Sequence, residues 1–177
     1  MGFVFLLGGA RSGKSGLAVR LAVASGAPVT FFATAAPGDS EMADRILRHR
    51  EDRPSDWTTV DAPLDLLGAV TAAGPGGFLV IDCLTLWVSN LMGEGQEAPQ
   101  ISVAADLLAQ ELAQRRGIVV SNEVGMGIVP VNELARGFRD VLGSVNARFA
   151  ECAERSYLMV AGRTVELSHS GIVLKPG

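Results

Sequence analysis

A short apolar run followed by a glycine-rich loop constrains the fold more than any other feature of this chain. Phe3-Val4-Phe5-Leu6-Leu7 predicts a buried strand. Gly8-Gly9-Ala10-Arg11-Ser12-Gly13-Lys14-Ser15 then matches G-x-x-x-x-G-K-[ST], the phosphate-binding loop. Its glycines let backbone N–H groups cradle a polyphosphate, and its lysine reaches the β- and γ-phosphates. A helical pattern with Leu17, Leu21 and Ala24 follows, so we predict a nucleotide site rather than a glycine-rich turn without a ligand.

The remainder of the chain alternates apolar runs with helical patterns. Further strands are predicted at 29–33, 57–60, 78–81, 118–121 and 157–161. Helices are predicted at 14–25, 41–52, 64–73, 84–92, 101–116 and 132–154, with a loop at 93–100. Parallel strands need such helical crossovers. We therefore predict one α/β domain over residues 1–177, with a mostly parallel sheet flanked by helices. A C-terminal antiparallel hairpin of 165–167 with 172–174, turning at Ser170-Gly171, is also predicted.

Charge and hydropathy narrow the class of partner. The net charge of −4 gives no electrostatic footprint for nucleic acid. No window of about 18 residues is unbroken and apolar, so we expect no membrane insertion. The N-terminus lacks a basic segment before its first strand, which argues against a signal peptide. Cys83 and Cys152 have no metal-like spacing and are interpreted as small buried hydrophobes in a reducing compartment. A cytoplasmic location is expected.

Two oxygen-bearing residues are candidates for an Mg²⁺ site. The Ser15 hydroxyl closes the phosphate-binding loop and can join the metal shell. Asp82 ends a continuous apolar strand, in the position from which an acidic residue supports Mg²⁺ in nucleotide-binding proteins. The alternative for Asp82 is a cap for the helix that follows it.

The charged helix at 41–52 carries one of the two histidines in the chain. His49 shares a helical face with Met42 and Ile46. The surrounding arginines are Arg45, Arg48, Arg50 and Arg53. A neutral imidazole among arginines suits attack on a phosphate, because the cations disfavour ring protonation and stabilise the charge that shifts during transfer. The alternative is an ordinary surface or packing residue.

Several motifs together resemble the adenosylcobinamide kinase/adenosylcobinamide-phosphate guanylyltransferase family of cobalamin synthesis. They are the phosphate-binding loop, Glu41 to Ile46 leading to His49 and Arg53-Pro54, Asp82-Cys83-Leu84-Thr85, the string Ser121 to Pro130, Leu134 to Asp140, and Val145-Asn146. They follow the family's order and span nearly the whole chain. The Asn122-Glu123-Val124-Gly125-Met126-Gly127 string is far more diagnostic than the loop.

The resemblance implies a P-loop enzyme with two activities. It would phosphorylate adenosylcobinamide from ATP or GTP, then transfer GMP from GTP to give adenosylcobinamide-GDP, with Mg²⁺ as cofactor. The resemblance places the histidine that carries GMP at His49, with Lys14 as the catalytic cation, and it implies a homotrimer. The implied nucleotide contacts are Gly8 to Ser15, Ala33, Thr34, Ala35, Arg50, Glu51, Asp52, Arg53, Asp61 and Asp82.

The chain departs from the family pattern at a few positions. Arg48 stands where some relatives have a second histidine, and Asp61 and Asp82 stand where relatives carry the longer glutamate. The tail from Gly162, including His169, has no assigned role. Two alternatives remain open at this point. A plain P-loop kinase would not need His49, and a nucleotide switch would usually carry an Asn-Lys-x-Asp signature, in place of which the chain has Ser121-Asn122-Glu123-Val124.

Overall fold

Residues 2–36 and 53–169 are described by a computed structural model and form one seven-stranded sheet. The strands are β1 (Phe3–Gly8), β2 (Val29–Ala33), β3 (Thr58–Asp61), β4 (Phe78–Asp82), β5 (Gly117–Asn122), β6 (Arg155–Val160) and β7 (Arg163–Leu167). Their order across the sheet is β3-β2-β4-β5-β1-β6-β7. All neighbouring pairs are parallel except β6 with β7. The predicted mostly parallel sheet is confirmed.

The described helices cover both faces of the sheet. They are α1 (Lys14–Ala24), α2 (Leu66–Ala72), α3 (Leu84–Gly93), α4 (Ala98–Ala113) and α5 (Glu133–Cys152). Helix α1 packs on one face, where Ala18 and Ala22 meet Leu6 and Val120. Helices α2 to α5 share the other face, where their apolar residues meet Phe5 and the rest of a larger core. Alternate residues of a central strand therefore pack against the helices on opposite faces of the sheet. Because both faces are buried, these strands are continuous apolar runs in the sequence.

Strand register places the ends of four strands, β1, β2, β4 and β5, along one edge of the sheet. Asp82 pairs with Ala33 on one side and with Val120 on the other, while Gly8 pairs with Asn122. This is the carboxyl edge, where ligands bind in open α/β sheets. The phosphate-binding loop leaves β1 at this same edge.

Helix α4 corrects the predicted loop at 93–100 and helix at 101–116. It begins at Ala98 and ends at Ala113. A capping box between Glu97 and Gln100 and Pro99 in the first turn account for the earlier start. Gly93, Gly95 and Pro99 are turn-forming residues, and for that reason the segment before Ile101 was predicted as a loop.

The C-terminal hairpin is present, but its strands differ from those predicted. Residues 165–167 belong to β7 and pair with β6, with Leu158 opposite Val165. Ala161 and Gly162 form the turn, both with positive φ (48° and 74°), which matches the twist of a two-residue hairpin. The other predicted strand, 172–174, its turn at 170–171 and the predicted helix at 41–52 lie outside the described residues.

None of the helices in the described ranges has the length and apolar character needed to cross a membrane.

Candidate active site

A cavity of about 430 Å³ lies at the carboxyl edge of the sheet, against the phosphate-binding loop. Its size is typical of small-molecule sites. Of the predicted site residues, the cavity brings together Ala10 to Ser15, Ala33, Ala35, Arg53 and Asp82. Residues of β2, β4 and the loop between β1 and α1 therefore meet in one place, although they are far apart in sequence.

Lys14 is held inside the loop by three oxygen atoms. Its Nζ donates to the carbonyl oxygens of Gly8 (2.8 Å) and Gly9 (2.7 Å) and contacts the Ser12 Oγ at 3.3 Å. Burial lowers the pKa of Lys14, and the nearby Cys83 and Asp82 act in the opposite direction. An ammonium group held by neutral acceptors can turn to the more strongly binding oxygens of a phosphate.

Gly8 permits close contact between the start of the phosphate-binding loop and β6, the neighbouring strand in the sheet. A Cβ at this position would lie 2.4 Å from the carbonyl oxygen of Met159 in β6. No side chain fits at that distance, so β1 and β6 can pair tightly only with glycine here. At the other end of the loop, Gly13 has φ of 97°, a left-handed conformation that favours glycine, and it directly precedes α1.

Ser15 and Asp82 both line the cavity, as their predicted role requires. A hydroxyl and a carboxylate are hard oxygen ligands, the kind Mg²⁺ prefers. Within the described part of the chain, no group of three or more His, Cys, Asp or Glu side chains is placed to hold a metal. A magnesium ion here would need phosphate oxygens and water in addition to these two residues, its usual arrangement at nucleotide sites.

Thr34 is fully buried and does not line the cavity. Its hydroxyl donates to the Cys83 carbonyl oxygen and accepts from the Cys83 N–H, each at 2.7 Å. The side chain therefore fixes the corner between β4 and α3, while its neighbours Ala33 and Ala35 face the cavity. Asp61 is exposed at the end of β3 and also lies outside the cavity lining.

Arg53 is the first described residue after the segment 37–52, and it lies over an aromatic ring. Its guanidinium carbon is 4.0 Å from the centroid of Phe31, a cation–π contact. Its Nη1 is 3.5 Å from the Thr59 Oγ1. Arg53 is thus held on the β2 side of the cavity, with one face on an apolar ring.

His49, Arg50, Glu51 and Asp52 lie outside the described residues, so their roles stay predictions. The chain leaves the described region after Ala36 and re-enters it at Arg53. Ala35 and Arg53 both line the cavity. The segment that contains His49 is therefore joined at both ends to residues of this site.

Sequence reasoning did not assign six further residues to the cavity: Gly16, Phe31, Cys83, Leu86, Val120 and Asn122. A signal for one of them was available. Phe31 lies two residues before the predicted contact Ala33, and residues two apart on a strand share a face. Leu86 belongs to α3, whose approach to the cavity depends on tertiary packing.

Cys83 is an unreactive neighbour rather than a nucleophile. Burial, with the charge of Asp82 adding to it, raises the pKa of this thiol to about 11. The thiolate is the reactive form of cysteine, and it is scarce in this protein near neutral pH.

Comparison with known proteins adds chemistry to this geometry. Residues 4–167 match the family model described as CobU, cobinamide kinase / cobinamide phosphate guanyltransferase. The chain is 43% identical over 165 residues to the bifunctional adenosylcobalamin biosynthesis protein CobP of Pseudomonas aeruginosa, covering 92% of this chain and 95% of that protein. It is 36% identical over 179 residues to the bifunctional adenosylcobalamin biosynthesis protein CobU of Salmonella typhimurium, covering 93% and 98%.

Solved structures support the fold. An ATPase from the type III secretion system of pathogenic bacteria superposes with a TM-score of 0.52 at 10% identity, covering 96% of this chain and 59% of the other. At that identity the likeness concerns architecture alone. The chain has the P-loop NTPase fold that its loop and sheet predicted.

Proposed function

The chain belongs to the cobinamide kinase / cobinamide phosphate guanyltransferase family, and from that premise we propose that one cavity serves both family reactions. The enzyme phosphorylates adenosylcobinamide and then transfers GMP from GTP onto the product, a pair of steps in cobalamin biosynthesis. One observation carries the proposal. Lys14, Ser15 and Asp82 face the same cavity as Arg53, the residue that follows the His49 segment.

In the kinase step, the loop and Lys14 hold the triphosphate while the corrinoid hydroxyl attacks the γ-phosphorus. The loop N–H groups and the Lys14 ammonium stabilise negative charge on the β- and γ-phosphates. A new P–O bond forms to the corrinoid and the bridging bond to the β-phosphate breaks. We propose that ATP and GTP both serve as the donor, because the phosphate loop binds the part that they share.

In the guanylyl step, we propose that His49 is the nucleophile. Its imidazole attacks the α-phosphorus of GTP and pyrophosphate leaves; the phosphate of cobinamide phosphate then displaces the histidine. Chain geometry supports this role. Arg53 lies four positions after His49, so the two Cα atoms are at most about 14 Å apart. Because Arg53 lines the cavity, this limit on chain length is compatible with a role for His49 at the same site.

We propose that Mg²⁺ is held by Ser15 and Asp82 when nucleotide is bound. Both residues offer hard oxygens on one cavity, and phosphate oxygens would complete the shell. The ion would neutralise charge on the phosphates. The contacts implied for Thr34 and Asp61 are proposed to be indirect, because neither side chain lines the cavity.

We propose a cytoplasmic homotrimer. The segment 126–131, between β5 and α5, supports self-association: Ile128 is 97% exposed and Val131 100% exposed, next to exposed Met126 and Val129. Such a run of apolar surface is unusual for a free monomer. The two thiols, Cys83 and Cys152, are unpaired with each other, which fits a reducing compartment.

Self-association is tested by light scattering after size exclusion. The double variant Ile128→Ser/Val131→Ser should elute at the monomer mass, whereas wild type has the trimer mass. Val103→Ser, which changes an exposed valine on α4, is the matched control and should remain trimeric. A monomeric wild type, or a double variant that stays trimeric, contradicts the proposal.

The covalent mechanism is tested with GTP labelled at the α-phosphorus. Wild type should retain label that is lost in acid and kept in alkali, as expected for a phosphorus–nitrogen bond. His49→Ala should retain none, yet it should still phosphorylate adenosylcobinamide from γ-labelled ATP. His169→Ala changes the other histidine and should label like wild type. Equal labelling of His49→Ala refutes the role, and an unlabelled wild type with kinase activity would indicate a plain P-loop kinase.

A further inference from the structure

A closed ring of hydrogen bonds surrounds the carboxyl end of β5. The Asn122 N–H donates to the Thr85 Oγ1 (2.7 Å), and the hydroxyls of Thr85 and Ser121 lie 3.4 Å apart. The Ser121 hydroxyl donates to the Asn146 Oδ1 (2.6 Å), and the Asn146 Nδ2 donates to the Asn122 carbonyl oxygen (2.9 Å). Since Ser121 gives its proton to Asn146, Thr85 gives its proton to Ser121, and the ring runs in one direction.

The ring joins three elements that are distant in sequence. Thr85 belongs to α3, Asn146 to α5, and Ser121 and Asn122 to β5. Ser121 is fully buried and Asn146 is 7% exposed, so the bonds form in a low-dielectric interior, where linked hydrogen bonds polarise and strengthen one another. Both polar groups of the Asn122 backbone are therefore fixed by side chains.

The next residue is held as firmly. The Glu123 N–H donates to the Gly8 carbonyl oxygen at 3.0 Å. The Glu123 carboxylate accepts from the N–H groups of Gly125 (2.6 Å) and Met126 (3.1 Å). The chain after β5 is thus tied to the phosphate-binding loop and turned away from it immediately.

This scaffold presents the Asn122 side chain to the cavity. Asn122 is in register with Gly8, whose carbonyl oxygen accepts a hydrogen bond from Lys14 Nζ. The carboxamide therefore stands beside the lysine that reaches the β- and γ-phosphates. Within residues 2–36 and 53–169, the carboxamide of Asn122 makes no hydrogen bond, although it carries two N–H donors.

We propose that the Asn122 carboxamide binds the terminal phosphate of the nucleoside triphosphate, and that Asn146 is a positioning residue that acts through it. This inference rests on the proposed function, which makes a triphosphate the substrate. An N–H to a phosphate oxygen is a charge-assisted bond. Asn146 does not line the cavity; it holds the Asn122 peptide, and with it the direction of the carboxamide.

The decisive measurement is nucleotide affinity, by calorimetry with Mg²⁺ and no corrinoid. The probes are GDP and α,β-methylene-GTP, whose α–β linkage resists transfer to histidine. Asn122→Ala should weaken the triphosphate analogue about tenfold or more, the effect of losing one charge-assisted bond, and should leave GDP within about twofold. Asn122→Asp should be worse for the analogue, because a carboxylate repels phosphate.

The ring is tested with variants away from the nucleotide. Asn146→Asp keeps the acceptor for Ser121 but places a second acceptor against the Asn122 carbonyl oxygen. It should lower the affinity for α,β-methylene-GTP relative to GDP, as Asn122→Ala does, but to a smaller extent. Thr85→Val removes the hydroxyl and offers a second break in the ring should Asn146→Asp fold poorly. Asn132→Ala, which alters only the cap of α5, is the matched control and should keep wild-type selectivity.

Two results overturn the inference. The first is an equal loss of affinity for GDP and for α,β-methylene-GTP in Asn122→Ala, which indicates general damage to the site. The second is no change in either affinity. Failure of the proposed function is distinguishable from both. If wild type does not modify adenosylcobinamide, the function fails whatever the affinities show; if wild type is active and Asn122→Ala binds the analogue normally, only the role of Asn122 fails.

Discussion

Replacing Thr34 with valine separates a structural role from a nucleotide contact. Valine keeps the volume and shape of threonine but cannot pair with the backbone of Cys83. Both backbone groups of Cys83 that use the Thr34 hydroxyl lie in the interior, and Thr34 itself is fully buried. The variant therefore leaves the buried Cys83 N–H without a partner and opens no cavity, while the Cys83 carbonyl oxygen keeps its hydrogen bond from the Trp87 N–H (3.2 Å).

The expected cost follows from this one group. A buried backbone group left without a partner costs about 1–3 kcal/mol, so Thr34→Val should lower the free energy of unfolding by roughly 1–3 kcal/mol. That is a measurable part of the roughly 5–15 kcal/mol typical of a domain. With a urea m-value of roughly 2 kcal/mol/M, the midpoint should fall by about 0.5–1.5 M.

The assay is urea unfolding followed by circular dichroism, with Thr30→Val as the matched control. Thr30 lies on β2, the strand that Thr34 directly follows, and its hydroxyl makes no hydrogen bond within the described residues. It should shift the midpoint little. If Thr34→Val unfolds within about 0.5 kcal/mol of wild type but binds GTP poorly, Thr34 contacts the nucleotide directly and the reasoning from burial is wrong.

Two further predictions concern residues around the loop. Gly8→Ala should abolish tight nucleotide binding and lower the melting temperature, because its Cβ would lie 2.4 Å from the Met159 carbonyl oxygen. The control is Gly9→Ala, whose Cβ would meet nothing within 4 Å and which should melt like wild type. Equal melting temperatures of the two variants would contradict this prediction. The second prediction concerns the raised pKa of Cys83. Above pH 9 the thiol loses its proton in the unfolded chain but keeps it in the folded chain until about pH 11. The free energy of unfolding should therefore fall by up to about 2–3 kcal/mol between these two pH values. Urea unfolding at pH 8 and pH 10.5 should show a smaller fall in Cys83→Ala, and identical falls would refute the assignment.

Most of the fold was predictable from local patterns. Each apolar run bounded by glycine or proline became a strand of the sheet, because a strand buried on both faces needs apolar residues throughout. The failures lie where local composition is ambiguous. The first turn of α4 (Ala98, Pro99 and Gln100) is exposed, and its capping box is the local feature that distinguishes it from a loop. Residues 165–167 have strand character without indicating their partner, which proved to be β6.

The site was predictable where a motif fixes chemistry locally. The loop from Gly8 to Ser15 and the acidic end of β4 were identified from sequence, and Ala10 to Ser15 and Asp82 line the cavity. Thr34 shows the limit of that reasoning, because its side chain bonds to a residue 49 positions away. Asn122 shows the same limit. Its motif indicated the family, but nothing in the sequence indicated which groups the residue contacts.

The sequence by itself determined a phosphate-binding loop on a parallel sheet and membership of a two-reaction family, because those properties depend on neighbouring residues and on their order. Only the tertiary structure decided the strand order, with β1 between β5 and β6. That order places Asn122 beside Gly8 and closes the ring through Thr85, Ser121 and Asn146. Contacts of this kind depend on how distant segments pack, since each hydrogen bond joins groups whose separation along the chain says nothing about their distance in space.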